Sequence, residues 1–288
     1  GTGMYSMKRL IAGGLVTLWC GTALAQTPAE QRQDRREEMR ERLQQQQQNI
    51  NRGQEVRVPP TVQEVRDVIY ASAPTKDGGT KELLLDAYFP RQSGEEPLPA
   101  IVYIHGGGFV SGDKAIGRAF SIALAQGGYF TVTISYRLAD EAPLPAAIED
   151  CKAAVRFLRA NAEDLGIDPE RIGVWGHSAG GHLAAYLGVT GNAPETHGAI
   201  GEHDDASSAV ACVVDFFGPT DFATMPLERA NLVRPRLFGE GDHETKMKHA
   251  SPMTFIDASD PPFLIIHGTE DNLVPIEEYR QYRSQAEE

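Results

Sequence analysis

Residues 175–181 read Trp175-Gly176-His177-Ser178-Ala179-Gly180-Gly181, and their setting decides the fold. The apolar run Ile172 to Trp175 comes before them and a small, apolar segment from Gly180 to Val189 follows, so the chain turns from a buried strand into a helix within a few residues. A corner that sharp leaves no room for side chains at Gly176 and Gly180, and it projects the Ser178 hydroxyl from a strained backbone. The helix amino terminus beneath it favours developing negative charge. The glycine-x-serine-x-glycine pattern alone is often an ordinary glycine turn; the strand before it and the helix after it make Ser178 a candidate nucleophile.

The same alternation recurs outward. Ala100 to Ile104, Tyr129 to Ser135, Val210 to Val214 and Phe263 to Ile266 are short apolar runs, separated by helical segments such as Pro145 to Ala160. Apolar runs without period-two alternation, interleaved with helices, are what a parallel sheet covered on both faces requires. Val65 to Ala71 and Glu82 to Phe89, joined by Asp77-Gly78-Gly79, read as an antiparallel hairpin at the sheet edge. The expected class is α/β, a mostly parallel doubly wound sheet with an N-terminal antiparallel hairpin. Reactive groups in such sheets collect at the carboxyl ends of the strands.

Two further strand ends carry chemistry. His105-Gly106-Gly107-Gly108-Phe109 follows Ala100 to Ile104, and consecutive glycines let backbone N–H groups approach a substrate oxygen. With the N–H of Ala179, those of Gly107 and Gly108 would form an oxyanion hole, each donor worth roughly 3–4 kcal/mol in the transition state. Phosphate cradling is the rival use, but no Gly-Lys-Ser/Thr follows. His105 reads as a structural hydrogen-bonding residue under the loop. After Phe263 to Ile266 comes His267-Gly268-Thr269-Glu270-Asp271, where an acidic residue could orient a base and stabilise its protonated form. Asp271 is the preferred candidate; Glu270 and Asp221 are alternatives, with turn and cap chemistry as their plain reading.

With these segments in this order, and with Ser135-Tyr136-Arg137-Leu138 beside them, residues 61–288 resemble the α/β-hydrolase superfamily. Within it they are similar to the hormone-sensitive-lipase-like esterases and the bacterial feruloyl and acetyl-xylan esterases. The resemblance implies an eight-stranded sheet and a serine carboxylic-ester hydrolase working through an acyl-enzyme, with no cofactor and no metal. It makes Ser178 the nucleophile, Asp271 the acid, and Gly107, Gly108 and Ala179 the oxyanion donors. It also implies a general-base His after the acid, with a last strand and helix around it. All eight histidines, His105, His177, His182, His197, His203, His243, His249 and His267, precede Asp271. The domain is therefore expected to be incomplete at its carboxyl end and nearly inactive as given, unless His177, His182, His243 or His249 replaces the base.

The remaining sequence sets the context. Lys8-Arg9, the apolar run Leu10 to Trp19 and the exit Ala23-Leu24-Ala25 read as a signal peptide over 1–25, hence a secreted or periplasmic protein. Residues 26–60, rich in Gln, Glu and Arg and including Gln44 to Gln48, read as a polar linker or solvated helix. With 27 Lys and Arg against 40 Asp and Glu among 288 residues, the formal charge of −13 argues against a nucleic-acid partner. No transmembrane bundle is expected once the leader is removed. Glu195, His197, Glu202, His203, Asp204 and Asp205 form a polar cluster read as a solvated loop lining the substrate entrance, with a metal site as the sharper alternative. Cys151 and Cys212 read as buried small residues, a disulfide between them staying open. The expected substrate is a small-molecule or polysaccharide-linked ester, with acyl length, alcohol moiety and oligomeric state left open. A prolyl-oligopeptidase-type peptidase and a non-catalytic hydrolase-like binding protein are the alternatives.

Overall fold

The computed structural model describes residues 56–191, 193, 196, 198–223 and 235–286. The leader over 1–25 and the polar segment up to residue 55 lie outside the described residues. The hairpin is β1 (Val62–Pro74) and β2 (Thr80–Pro90), longer than its apolar runs suggested and paired antiparallel from Val62↔Pro90 to Pro74↔Thr80. Then come β3 (Leu98–Ile104), α1 (Arg118–Gln126), β4 (Phe130–Ile134), α2 (Ala146–Ala160), α3 (Ala162–Leu165), β5 (Ile167–His177) and α4 (Ala179–Val189). They are followed by β6 (Val213–Phe216), α5 (His243–His249), β7 (Phe263–Ile266) and α6 (Ile276–Ala286). Among the described residues the sheet has seven strands in the order β1-β2-β4-β3-β5-β6-β7, parallel from β4 to β7. It is the expected doubly wound arrangement, one strand short of the eight that the resemblance implies.

Burial follows the covering. All five residues of β4 are buried, as a strand between two helical layers must be. At β7 the pattern changes to alternation. Phe263 packs on Tyr282 of α6, with ring centroids 5.6 Å apart, whereas Leu264 and Ile266 are 55% and 45% exposed. The expectation of two covered faces thus holds at the sheet centre and fails at this edge, where among the described residues nothing overlies one face. Cys151 and Cys212 are free thiols, Cys151 buried and Cys212 half-buried.

Two networks on α2 organise what surrounds the sheet. Arg137, from the Ser135-Tyr136-Arg137-Leu138 segment, donates through Nη2 and Nε to the buried Asp150 carboxylate at 2.6 and 3.0 Å, and Asp150 also accepts from the Arg137 backbone N–H at 2.7 Å. Both side chains are almost solvent-free. Asp150→Ala would leave the buried guanidinium with only the partly exposed Glu149 at 3.3 Å as counter-charge, so a loss of about 3 kcal/mol is expected in urea unfolding; a loss below about 1 kcal/mol would contradict it.

Further along α2, Lys152, Arg156 and Arg159 share one face. Lys152 Nζ donates to the Thr190 carbonyl, Arg156 to Ile200 and Arg159 to Ala209. Since α2 runs from the carboxyl end of β4 back to the start of β5, the stretch from Ile200 to Ala209 lies along the far half of that helix. Of the polar cluster read as a solvated loop, Glu202, Asp204 and Asp205 are exposed while the backbone carbonyls of Ile200 and Ala209 hold Arg156 and Arg159; Glu195 and His197 lie outside the described residues.

Candidate active site

The parallel registers align the strand ends: Ile104 pairs with Gly176, His177 with Phe216, and Phe216 with Ile266. Ser178, the loop after β3 and the turn after β7 therefore open from one edge. Ser178 has φ 54° and ψ −123°, a conformation costly for a non-glycine residue and maintained only where the surroundings enforce it. Here the surroundings are backbone. A Cβ on Gly176 would lie 2.0 Å from the Gly180 carbonyl oxygen, and one on Gly180 would lie 2.0 Å from that of Ile104. The Ser178 N–H donates to the Phe216 carbonyl at 2.8 Å and its carbonyl accepts from His182 N–H at 3.0 Å. The side chain makes no cap hydrogen bond to α4, so the hydroxyl is not committed to the helix it precedes.

The glycine loop is packed against this corner. A Cβ on Gly106 would come within 2.8 Å of the His177 carbonyl oxygen. Gly107 and Gly108 take φ values of 121° and 61°, the region glycine adopts freely. The Gly107 carbonyl accepts from the N–H groups of Val110 and Ser111, which closes the loop. Among the described residues the N–H groups of Gly107 and Gly108 donate to no protein acceptor, and Ala179, first in α4, has no intrahelical partner for its own. Three donors thus border the serine corner uncommitted.

His105 is the loop's anchor. Its ring stacks on Tyr136 at 4.3 Å, its Nδ1 donates to the Gly106 carbonyl at 2.7 Å, and its own carbonyl accepts from the Tyr136 hydroxyl at 2.9 Å. Burial depresses its pKa to about 4, and does the same to His182, whose Nδ1 donates to the Pro219 carbonyl at 2.6 Å. Both rings stay neutral in the folded chain until the pH nears 4, while the unfolded chain protonates them around the ordinary value of about 6.5. Their contribution to stability is full above about pH 6.5 and is lost as the pH falls toward 4, on the order of 3 kcal/mol each. Urea midpoints should therefore drop between about pH 7 and about pH 5, less steeply in His182→Gln; a profile unchanged by that substitution would refute neutral burial.

The other imidazoles are engaged locally. His177 Nδ1 is 2.8 Å from the Tyr103 hydroxyl, His243 Nε2 donates to the Gly239 carbonyl, and His249 Nδ1 to that of Thr245. His267 Nε2 donates to the Val274 carbonyl at 2.6 Å and lies 3.6 Å from Asp271 Oδ2. Among the described residues no imidazole is hydrogen-bonded to the Ser178 hydroxyl; His197 lies outside them. Asp271 follows β7, two strands from β5 and so about 10 Å across the sheet. Its Oδ1 accepts from the N–H groups of Leu273 and Val274 at 2.7 and 3.0 Å, which fixes the carboxylate in its turn. Of the alternatives, Asp221 accepts from Ala223 N–H at 2.8 Å, in turn chemistry of the plain kind. Among the described residues no group of three His, Cys, Asp or Glu is placed to hold a metal ion.

Sequence reading missed Asp215. This fully buried carboxylate on β6 accepts from Gly218 N–H at 3.0 Å, and its Oδ1 would be 2.2 Å from a Cβ on Gly181. It packs closely against the first turn of α4 at Gly181. The signal was a charged residue inside Val213-Val214-Asp215-Phe216, an anomaly in a central strand.

This sheet order, with a strained serine between strand and helix and a glycine loop at its side, defines an α/β-hydrolase. Comparison with known proteins places it more narrowly. Residues 85–285 match the BD-FAE family model, and the chain belongs to that family of α/β-hydrolase esterases. It is 34% identical over 224 residues to esterase LipC of Mycobacterium tuberculosis (strain ATCC 25618 / H37Rv), an alignment covering 75% of this chain and 53% of that one. It spans about half the length of the curated relatives it matches. Among solved structures it is similar to a truncated form of a carbohydrate esterase from gut microbiota, with 31% identity, TM-score 0.65, and 78% and 83% of the two chains covered. It is also similar to Thermogutta terrifontis esterase 2 phosphoramylated by tabun, with 30% identity, TM-score 0.62 and 79% of each chain covered.

Proposed function

We propose that this chain carries the nucleophile, acid and oxyanion donors of an exported serine carboxylic-ester hydrolase acting through an acyl-enzyme. Ser178 attacks the ester carbonyl, and the N–H groups of Gly107, Gly108 and Ala179 receive the developing oxyanion. Asp271, anchored by two amides, orients the imidazole that serves as general base. That imidazole comes from outside the described residues, because the described ones are tied to other partners. The observation that carries the reading is the strained Ser178, its hydroxyl uncommitted, beside unpaired glycine N–H groups.

Substrates are esters of acetyl, feruloyl or other short acyl groups on small alcohols or polysaccharide. The similarity to a solved carbohydrate esterase supports the polysaccharide arm, and the leader-like residues 1–25 support export. The test is labelling with a fluorophosphonate, a class related to the agent on the Thermogutta esterase. Slow, stoichiometric modification mapping to Ser178 by mass spectrometry, and lost in Ser178→Ala, is expected. A folded chain that stays unlabelled after prolonged exposure, or is labelled elsewhere, would overturn the reading.

A further inference from the structure

A cavity of about 440 Å³ lies away from Ser178. It lies between the start of α2, the second turn of α4 and the far side of α5, a volume in the range that holds small organic ligands. Tyr186 lines it eight residues along α4 from Ser178, a helical distance of about 12 Å. Its floor is apolar, formed by Leu144, Pro145, Ile148, Tyr186 and Ala250. Nothing in the proposed ester chemistry uses it.

The polar groups at the rim decide what it would take. Thr196 Oγ1 donates to the Ala193 carbonyl and Thr245 Oγ1 to Asp242, while Lys246 Nζ is drawn to the carbonyls of Phe238 and Glu240. Two carbonyls hold the Lys246 ammonium, and both hydroxyl donors are committed within the protein. Two acceptors are not. Glu149 engages one oxygen, Oε2, with Arg137 at 3.3 Å, and among the described residues no donor meets Oε1. His249 donates Nδ1–H to the Thr245 carbonyl at 2.8 Å; a carbonyl can only accept, so Nε2 of the neutral ring carries the lone pair. Among the described side chains the rim therefore presents acceptors over an apolar floor.

From this balance we infer that the cavity is a binding site for an apolar ring bearing hydroxyl groups, a phenol or cyclic alcohol. Its body would lie on Leu144, Pro145, Ile148 and Tyr186, and its hydroxyls would donate to Glu149 Oε1 and His249 Nε2. A ligand without donors would strip water from both acceptors and return nothing, the asymmetry that makes an unmatched polar group costly. The site stands whether or not Ser178 is a nucleophile.

Resorcinol and 1,3-dimethoxybenzene are the matched probes, alike in ring and substitution but with donors only on the first. Titrating each into the chain and following backbone amide shifts by NMR should give saturable binding of resorcinol, with the largest shifts at Ile148, Gly198 and Ala250. The dimethyl ether should bind about tenfold more weakly. His249→Phe and Glu149→Gln should each weaken resorcinol about fivefold or more while thermal midpoints stay near wild type. Absence of saturable resorcinol binding, equal affinity for the two probes, or shifts centred elsewhere would each overturn the inference. So would folded variants that bind like wild type, and if a variant fails to fold the probe pair on the wild-type chain decides.

Discussion

With p-nitrophenyl acetate, residues 1–288 are expected to turn over about a millionfold more slowly than a serine hydrolase with its full triad, and Ser178→Ala is expected to slow them by less than about threefold more. The second half of that expectation is the sharper. Members of a triad act as a unit, so once one is missing the removal of another changes little, and the remaining rate, roughly 10³–10⁴ over water, comes from oxyanion donors and binding. Here the donors are in place while no described imidazole reaches Ser178. Steady-state hydrolysis by wild type and Ser178→Ala, side by side, measures it. Vigorous activity abolished by the substitution would show that an imidazole does reach the serine, with His197 the first to examine.

Gly180→Ala should remove the native state, with a loss above about 4 kcal/mol in urea unfolding or no soluble folded protein. The added carbon would lie 2.0 Å from the Ile104 carbonyl oxygen and 2.6 Å from that of His105, and both oxygens belong to backbone that cannot rotate away. Relief would have to come from lifting α4 off β3, which opens the serine corner and the glycine loop together. Gly128→Ala is the control. Its φ of 94° strains any side chain, but nothing lies within 4 Å of the new carbon, so a loss of about 1–2 kcal/mol is expected. Similar losses at the two positions would mean that the close approach of α4 is not what holds the corner.

Much of this was readable in the chain because its signals are local. Gly176, Ser178 and Gly180 announce a tight strand-to-helix turn, and runs such as Phe130–Ile134 are apolar on both faces because both are covered. Positions fixed by partners distant in sequence were not readable. Asp215 is set by Gly181 and Gly218, and the backbone of the loop from Ile200 to Ala209 by Arg156 and Arg159, contacts that composition does not announce even where it marks the loop's side chains as solvated. The apolar run Val210 to Val214 places β6 too early; the ladder with β5 runs from Val213 to Phe216. His105 was recognised as structural, but the sequence gives no sign of the Tyr136 ring that stacks on it.

The contact of backbone on backbone at Gly176 and Gly180 also divides the molecule for anyone diversifying it. Libraries that randomise the serine corner would return mostly unfolded clones, since neither glycine admits even a methyl group. Variation in substrate preference has to be sought at exposed side chains near the same edge, such as Ser111, Asp113 and Phe217. The rigid corner then serves as a fixed chassis, and selectivity becomes a property of replaceable loops.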